Sequence, residues 1–272
     1  MDKNSLDNQP APETRVAIVT GGATGIGLSS ARSLGQDGVV VVLFGPDSDA
    51  LTAASRMLRE ERITAFPVTG DVSSGESVYS LVNEVQNRFG RLDILVNSAA
   101  IQPYGTVETM SEADWDRVMA VNVKGIYLAS HYAIPLMRKS GGGVIVNVAS
   151  VQGIACQTNV AAYVASKGAV LALTRAMAVD HAKDDIRVNA VCPGSIDTPM
   201  LRFAASQNLG INTEDEVIEK WGSAHPLGRV GRPDEVGAMV AFLCSPRAGF
   251  CTGAEYKVDG GLLAKIGVVL PD

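Results

Sequence analysis

Short aliphatic runs recur along the chain at residues 16–19, 39–44, 63–68, 92–96, 144–148, 186–191 and 256–258. Most of them do not alternate apolar with polar positions, the pattern of strands covered on both faces of a parallel sheet. Between them the apolar residues fall at helical spacing over 28–34, 50–61, 77–89, 112–137, 161–182 and 234–244. A repeated strand–helix order predicts an α/β chain: one Rossmann-type, doubly wound parallel sheet of about seven strands with helices on both faces. Residues 1–14 are polar and read as a flexible arm, and 15–272 as a single domain, with no linker or repeat to divide it. The alternation stops over 200–227, a longer excursion that holds two polar, acidic segments read as helices, contains Asn208-Leu209-Gly210 and ends at His225-Pro226. Such an excursion is either a substrate loop or lid, or a plain surface insertion.

Composition narrows the function classes. Hydrophobic residues make up 46% and charged residues 19%, as in ordered globular proteins, while 28 glycines and 5% aromatics suit tight helix-on-sheet packing. The net charge of −6 argues against a nucleic-acid partner, since an acidic surface repels phosphate backbones. The run 39–44 is far short of the ~20 apolar residues of a membrane helix, and no membrane partner is expected. The N-terminus lacks the basic start and apolar middle of a signal peptide. Cys156, Cys192, Cys244 and Cys251 form no CxxC pair, so reduced thiols in a cytoplasmic protein are expected and no metal site.

The first strand runs into Thr20-Gly21-Gly22-Ala23-Thr24-Gly25-Ile26-Gly27, and a helix follows. A helix N-terminus offers unpaired N–H groups and the positive end of a dipole, and glycines let a phosphate reach bare backbone there. The spacing is G-x-x-x-G-x-G; no Gly-Lys-Ser/Thr follows, which excludes a P-loop. An acidic residue ~20 positions beyond would meet the ribose hydroxyls of NAD. Asp47 stands there, with an equal claim as a helix N-cap. The stretch Gly45-Pro46-Asp47-Ser48-Asp49 holds no Lys or Arg to pair with a 2′-phosphate, which favours NAD over NADP.

Ser150 follows the fifth run, at the carboxyl end where open α/β sheets bind ligands, and Tyr163-Val164-Ala165-Ser166-Lys167 comes soon after. On a helix, Tyr163 and Lys167 share one face. A phenol of reference pKa ~10 acts as a base near neutrality only with help, and a neighbouring ammonium or a helix N-terminus supplies it. Taken singly, each residue has an ordinary reading: Ser150 a cap, Tyr163 packing, Lys167 a solvated face.

Together, the glycine turn, Asn122-Val123-Lys124-Gly125, Ser150, Tyr163-x3-Lys167, Pro193-Gly194-Ser195-Ile196-Asp197-Thr198 and Val258-Asp259-Gly260-Gly261 resemble the short-chain dehydrogenase/reductase family. The likeness spans roughly 15–263. It implies Tyr163 as general acid/base, with Lys167 lowering its pKa and holding the nicotinamide ribose. It implies Ser150 on the substrate oxygen and Asn122 anchoring a water that links Lys167 to solvent. For the cofactor it implies Gly21, Thr24, Gly25, Ile26 and Gly27 at the pyrophosphate and Asp71 and Val72 at the adenine. Asn97 and Ala99 would lie beside the adenosine end, and Pro193, Gly194, Ile196 and Thr198 near the nicotinamide carboxamide. A homotetramer is implied too.

The sequence departs from the family at two places. The usual Asn-Asn-Ala-Gly is here Asn97-Ser98-Ala99-Ala100, and Gly45 occupies the position where NAD-specific members carry Asp. Gln102, Gln152, Gln157, Asn159, His225, Ile154 and Cys156 are candidate pocket residues, and the several amides suit a sugar, sugar acid or polyol. The alternatives are an NADPH-dependent reductase of 3-oxoacyl thioesters on acyl carrier protein, and a non-catalytic dinucleotide-binding regulator. His131, His181 and His225 are widely separated and show no metal-ligand spacing.

Overall fold

The computed structural model describes residues 14–266. The expected arm at 1–14 falls almost wholly outside them. Seven strands, β1 (Val16–Thr20), β2 (Val40–Gly45), β3 (Ala65–Thr69), β4 (Ile94–Asn97), β5 (Gly143–Val148), β6 (Ile186–Pro193) and β7 (Glu255–Val258), form one sheet in the order β3-β2-β1-β4-β5-β6-β7. Every pairing is parallel. The chain winds outward from β1 to β3, then returns to place β4 on the other side of β1, so the crevice between β1 and β4 is the topological switch point.

The unbroken aliphatic runs follow from this arrangement. In β1 and β2, Val16, Ile18, Val40, Val42 and Phe44 face one core, and Ala17, Val19, Val41 and Leu43 face another. Helices α3 (Gly75–Phe89), α5 (Gly125–Lys139) and α6 (Ala161–His181) supply the first core with Leu81, Ala133 and Leu171. Helices α1 (Gly25–Gln36), α2 (Ser48–Glu60) and α9 (Pro233–Cys244) supply the second with Leu34, Leu58 and Val240. With water excluded from both faces, strand positions have no polar side to alternate with.

The clearest differences from the sequence reading lie at two strand starts and within one helix. Ile63 and Leu92 are buried, yet they precede their strands rather than open them. The single helix expected over 112–137 is α4 (Glu112–Met119), a wider π-type turn at Ala120–Lys124, and α5. Within 200–227 lie α7 (Pro199–Ser206) and α8 (Glu214–Gly222), the latter with a Thr213/Glu216 capping box. Ala205, Val217 and Ile218 form a small apolar cluster that joins these two helices apart from the main cores.

Candidate active site

A cleft of about 1180 Å³ opens at the carboxyl ends of the strands, over the switch point. Gly21, Thr24, Gly25, Ile26 and Gly27 line one wall. Gly21 adopts φ +64°, and a Cβ there would lie 2.9 Å from the Ala99 backbone, so β1 and the segment after β4 touch main chain to main chain. Thr20 Oγ1 fastens that contact by accepting from the N–H groups of Ser98 (3.1 Å) and Ala99 (3.3 Å). A Cβ on Gly27 would collide with the Gly21 carbonyl oxygen, so only glycine lets α1 start this close to the turn. Thr24 makes no side-chain cap bond and the first turn of α1 carries no carboxylate. Its free amides at the cleft wall fit an anionic phosphate. By contrast α2, α3, α4, α7 and α8 each have a capping side chain.

The opposite wall carries Ser150, Tyr163 and Lys167. Ser150 follows β5 by two residues, and its Oγ accepts from Gln152 N at 3.1 Å. Tyr163 and Lys167 sit one turn apart near the start of α6, whose entry is pinned to the 105 loop by Ala161 N donating to Gly105 O at 3.1 Å. The Tyr163 phenol lies close enough to the Ser150 hydroxyl for that hydroxyl to lower its pKa. The Lys167 Nζ lies 5.3 Å from the Tyr163 ring centre and donates to Val148 O at 2.7 Å.

The electrostatics depart from the expected lowering of the tyrosine. Burial pushes the Tyr163 phenol up to about 12; the Ser150 hydroxyl pulls it down and Tyr104 adds to the rise. Lys167 is 2% exposed, and burial pushes its ammonium down to about 8. Burial penalises the charge on both groups at once, and the Lys167 ammonium donates a hydrogen bond to the carbonyl of Val148, the last residue of β5. The Cys192 thiol next to them is pushed up to about 11, chiefly by burial. It is a buried, protonated thiol.

The other expected residues divide between cleft and interior. Asp71, Val72, Ala99, Pro193, Gly194, Ile196 and Thr198 line the cleft, as do Gln102, Gln152, Gln157, Cys156 and His225. Asn97 is 2% exposed below it, and its Nδ2 donates to Asn147 Oδ1 at 2.9 Å. Asn147 in turn donates to Thr174 Oγ1 at 2.9 Å, a buried polar chain tying β4 and β5 to α6. Asp47 caps α2 by accepting from Asp49 N and Ala50 N, while Gly45 and Pro46 line the cleft in its place. Asn122 is fully buried and holds the backbone of Ile101 and the hydroxyl of Ser166. Ile154 and Asn159 are not among the cleft-lining residues. Among the described residues, no group of three or more His, Cys, Asp or Glu is placed to hold a metal ion, and no helix is long and apolar enough to cross a membrane.

Sequence reasoning passed over Tyr104, which lines the cleft and acts on the Tyr163 phenol, and the residues Asn208, Asn212, Lys220 and Trp221 around the two helices of the 200–227 excursion. The signal for Tyr104 was positional: it follows the carboxyl end of β4, the same rule that singled out Ser150 after β5.

The family model described as "Enoyl-(Acyl carrier protein) reductase" matches residues 21–263. The chain belongs to the short-chain dehydrogenase/reductase family. This short-chain dehydrogenase/reductase, an oxidoreductase, is 37% identical to the meso-2,3-butanediol dehydrogenase of Serratia marcescens over 94% of its own length and 97% of the relative's. It is similar in structure to the ligand-free aldohexose dehydrogenase of Thermoplasma acidophilum, with a TM-score of 0.87 and 36% identity over 96% and 98% of the two chains. The L-sorbose reductase of Gluconobacter frateurii, solved with NADPH and L-sorbose, matches with a TM-score of 0.89 and 31% identity over 93% and 98%.

Proposed function

We propose that this short-chain dehydrogenase/reductase transfers a hydride between NAD(H) and a secondary alcohol or its ketone, the substrate being a sugar, sugar acid or polyol. One observation carries the reading: Tyr163, beside Ser150 and one turn from Lys167, lines the same cleft as the uncapped glycine turn at α1. The nicotinamide dinucleotide, when bound, supplies the hydride donor or acceptor. Gly21, Thr24, Gly25, Ile26 and Gly27 would hold its pyrophosphate, Asp71 and Val72 its adenine, and Ile196 and Thr198 its carboxamide.

In reduction, Tyr163 enters protonated, since burial holds its phenol up, and gives that proton to the carbonyl oxygen. Ser150 donates to the same oxygen and orients it. In oxidation, Tyr163 takes the hydroxyl proton after losing its own. Lys167, protonated below about 8, then faces a phenolate across the ring. Asn122 keeps the 98–102 wall in place and is the candidate anchor for a water between Lys167 and solvent.

NAD is favoured at the adenosine end because Gly45 and Pro46 line the cleft there without a basic side chain, and Asp47 follows. The amides Gln102, Gln152 and Gln157, joined by Asn208 and Asn212, suit hydroxyl-rich substrates, because a site built for hydroxyls penalises analogues that leave its amides unpaired. The second reading is an NADPH-dependent reductase of 3-oxoacyl thioesters on acyl carrier protein; the matching family model's description, an enoyl-(acyl carrier protein) reductase, shares with it only the carrier-bound acyl substrate. A screen of purified protein with both cofactors against sugars, sugar acids, polyols and acyl thioesters tests this. Turnover of a polyhydroxylated alcohol with NAD is expected; activity confined to thioesters with NADPH would overturn the assignment.

The exposed side chains Tyr127, Val179 and Phe250 are apolar surface that a homotetramer would cover, and light scattering measures that state. A cytoplasmic location fits the absence of paired cysteines.

A further inference from the structure

His225 follows α8, only 3% exposed, with both ring nitrogens occupied. Nε2 faces Ser195 N at 3.1 Å, and Nδ1 faces Trp221 O at 3.1 Å. A backbone N–H can only donate and a carbonyl can only accept, so Nε2 is the acceptor and Nδ1 carries the single proton. The ring is thereby a neutral imidazole bridging two segments of main chain.

Three segments meet on this ring. A Cβ on Gly194 would lie 2.8 Å from Nε2, so the turn after β6 needs glycine to close on the ring, while Gly260 after β7, at φ +57°, comes within ordinary contact of the His225 side chain. Trp221 belongs to α8 and lines the cleft beside Asn208 and Asn212. Ser195 belongs to the 193–198 segment, whose other side is held by Gly231 N donating to Ser195 O at 2.8 Å and by Asp197 N donating to Gly231 O at 2.9 Å. That segment carries Ile196 and Thr198 and runs into α7, where Thr198 Oγ1 accepts from Leu201 N at 3.2 Å. Thr198 also packs against Gly25 of the phosphate turn, where an added Cβ would meet its Cγ2 at 3.2 Å.

We infer that His225 is a positioning residue that clasps the two-helix excursion at 200–227 to the nicotinamide-side wall of the cleft, so that the backbone of 195–198 is set for the dinucleotide by the same ring that seats α8. This rests on the dehydrogenase reading of the cleft. The ring lines the cleft, but both of its nitrogens are taken by backbone, so it acts through Ser195.

The bond that matters is the one from Ser195, and three substitutions separate it from mere filling of space. His225→Gln can place a carbonyl oxygen near the Nε2 position and keep an acceptor for Ser195 N. His225→Asn reaches only the Nδ1 position, and His225→Phe fills the volume with no polar atom. NADH and NADPH binding is measured by fluorescence, with thermal melting as the check on folding, and kcat and KM are then taken on the best substrate. His225→Asn and His225→Phe are expected to weaken dinucleotide binding about tenfold and to raise KM more than they lower kcat. His225→Gln is expected to restore binding to within a few-fold of the native chain. Equal weakening by Gln and Phe, or no weakening by Asn and Phe, overturns the clasp while leaving the dehydrogenase reading intact. A native chain that binds neither dinucleotide overturns both.

Discussion

The side-chain amide of Asn122 grips the backbone of Ile101 from both sides, its Oδ1 accepting from Ile101 N at 2.9 Å and its Nδ2 donating to Ile101 O at 3.0 Å. Asn122 belongs to the π-type turn between α4 and α5, and Ile101 to the segment after β4 that walls the cleft. A local widening of a helix has been used here to turn one side chain onto a loop. Asn122→Ala leaves two backbone groups without this partner, at a cost of roughly 1–3 kcal/mol for each group that stays buried and unpaired. Thermal melting is expected to fall by several degrees and KM to rise. An unchanged melting point would show that water replaces the amide.

Tyr163→Phe removes the phenol oxygen and little else. Turnover is expected to fall by roughly 100- to 10,000-fold, the range for loss of a general acid/base. Dinucleotide affinity, measured by NADH fluorescence, should stay close to native. Native-like turnover would refute the role given to Tyr163.

Gly27→Ala forces a methyl against the Gly21 carbonyl, and the turn must open to admit it. Overpacking of this kind costs about 1–3 kcal/mol, and the displaced turn should lose most dinucleotide binding. Gly168→Ala in α6 is the control, because its Cβ would meet nothing nearer than Gly153 O at 3.9 Å. Calorimetric titration with NADH on both variants reads the difference.

The pH dependence separates the two directions of reaction. Burial holds the Tyr163 phenol up to about 12 and Lys167 down to about 8. Oxidation needs the phenolate, so kcat/KM for the alcohol is expected to climb as pH rises from neutrality. Reduction needs the protonated phenol and should not share that climb. Matching profiles in the two directions would rule out Tyr163 as the titrating group.

Cofactor choice turns on the end of β2. Pro46 lines the cleft beside Gly45, and Asp47 is committed to capping α2. Pro46→Arg places a cation where a 2′-phosphate would lie, and should shift the ratio of kcat/KM for NAD over NADP toward NADP by about tenfold or more, the worth of one charge-assisted contact. A native preference for NADP would contradict the reading of this corner.

The site was legible where chemistry depends on neighbours in sequence. Tyr163 and Lys167 share a face because they are one helical turn apart, and the glycine turn sits at a strand–helix junction marked by its own composition. It was illegible where burial decided. Asn97 and Ala99 are two residues apart, yet the first is buried beneath the cleft and the second lines it, because β4 ends between them. Asp47 could equally have been a ribose ligand or a cap, and its bonds to Asp49 N and Ala50 N show it as a cap.

By itself, then, the sequence determined the parallel sheet and the alternation of its strands with helices, since aliphatic runs and helical spacing act locally and leave few alternatives. Only the tertiary structure decided the charge balance of the site and the partners of its buried polar groups. Desolvation of Tyr163 and Lys167, the hold of Asn122 on Ile101 and the seat of His225 between Ser195 and Trp221 each arise where distant segments exclude water together. No stretch of chain read alone contains that information.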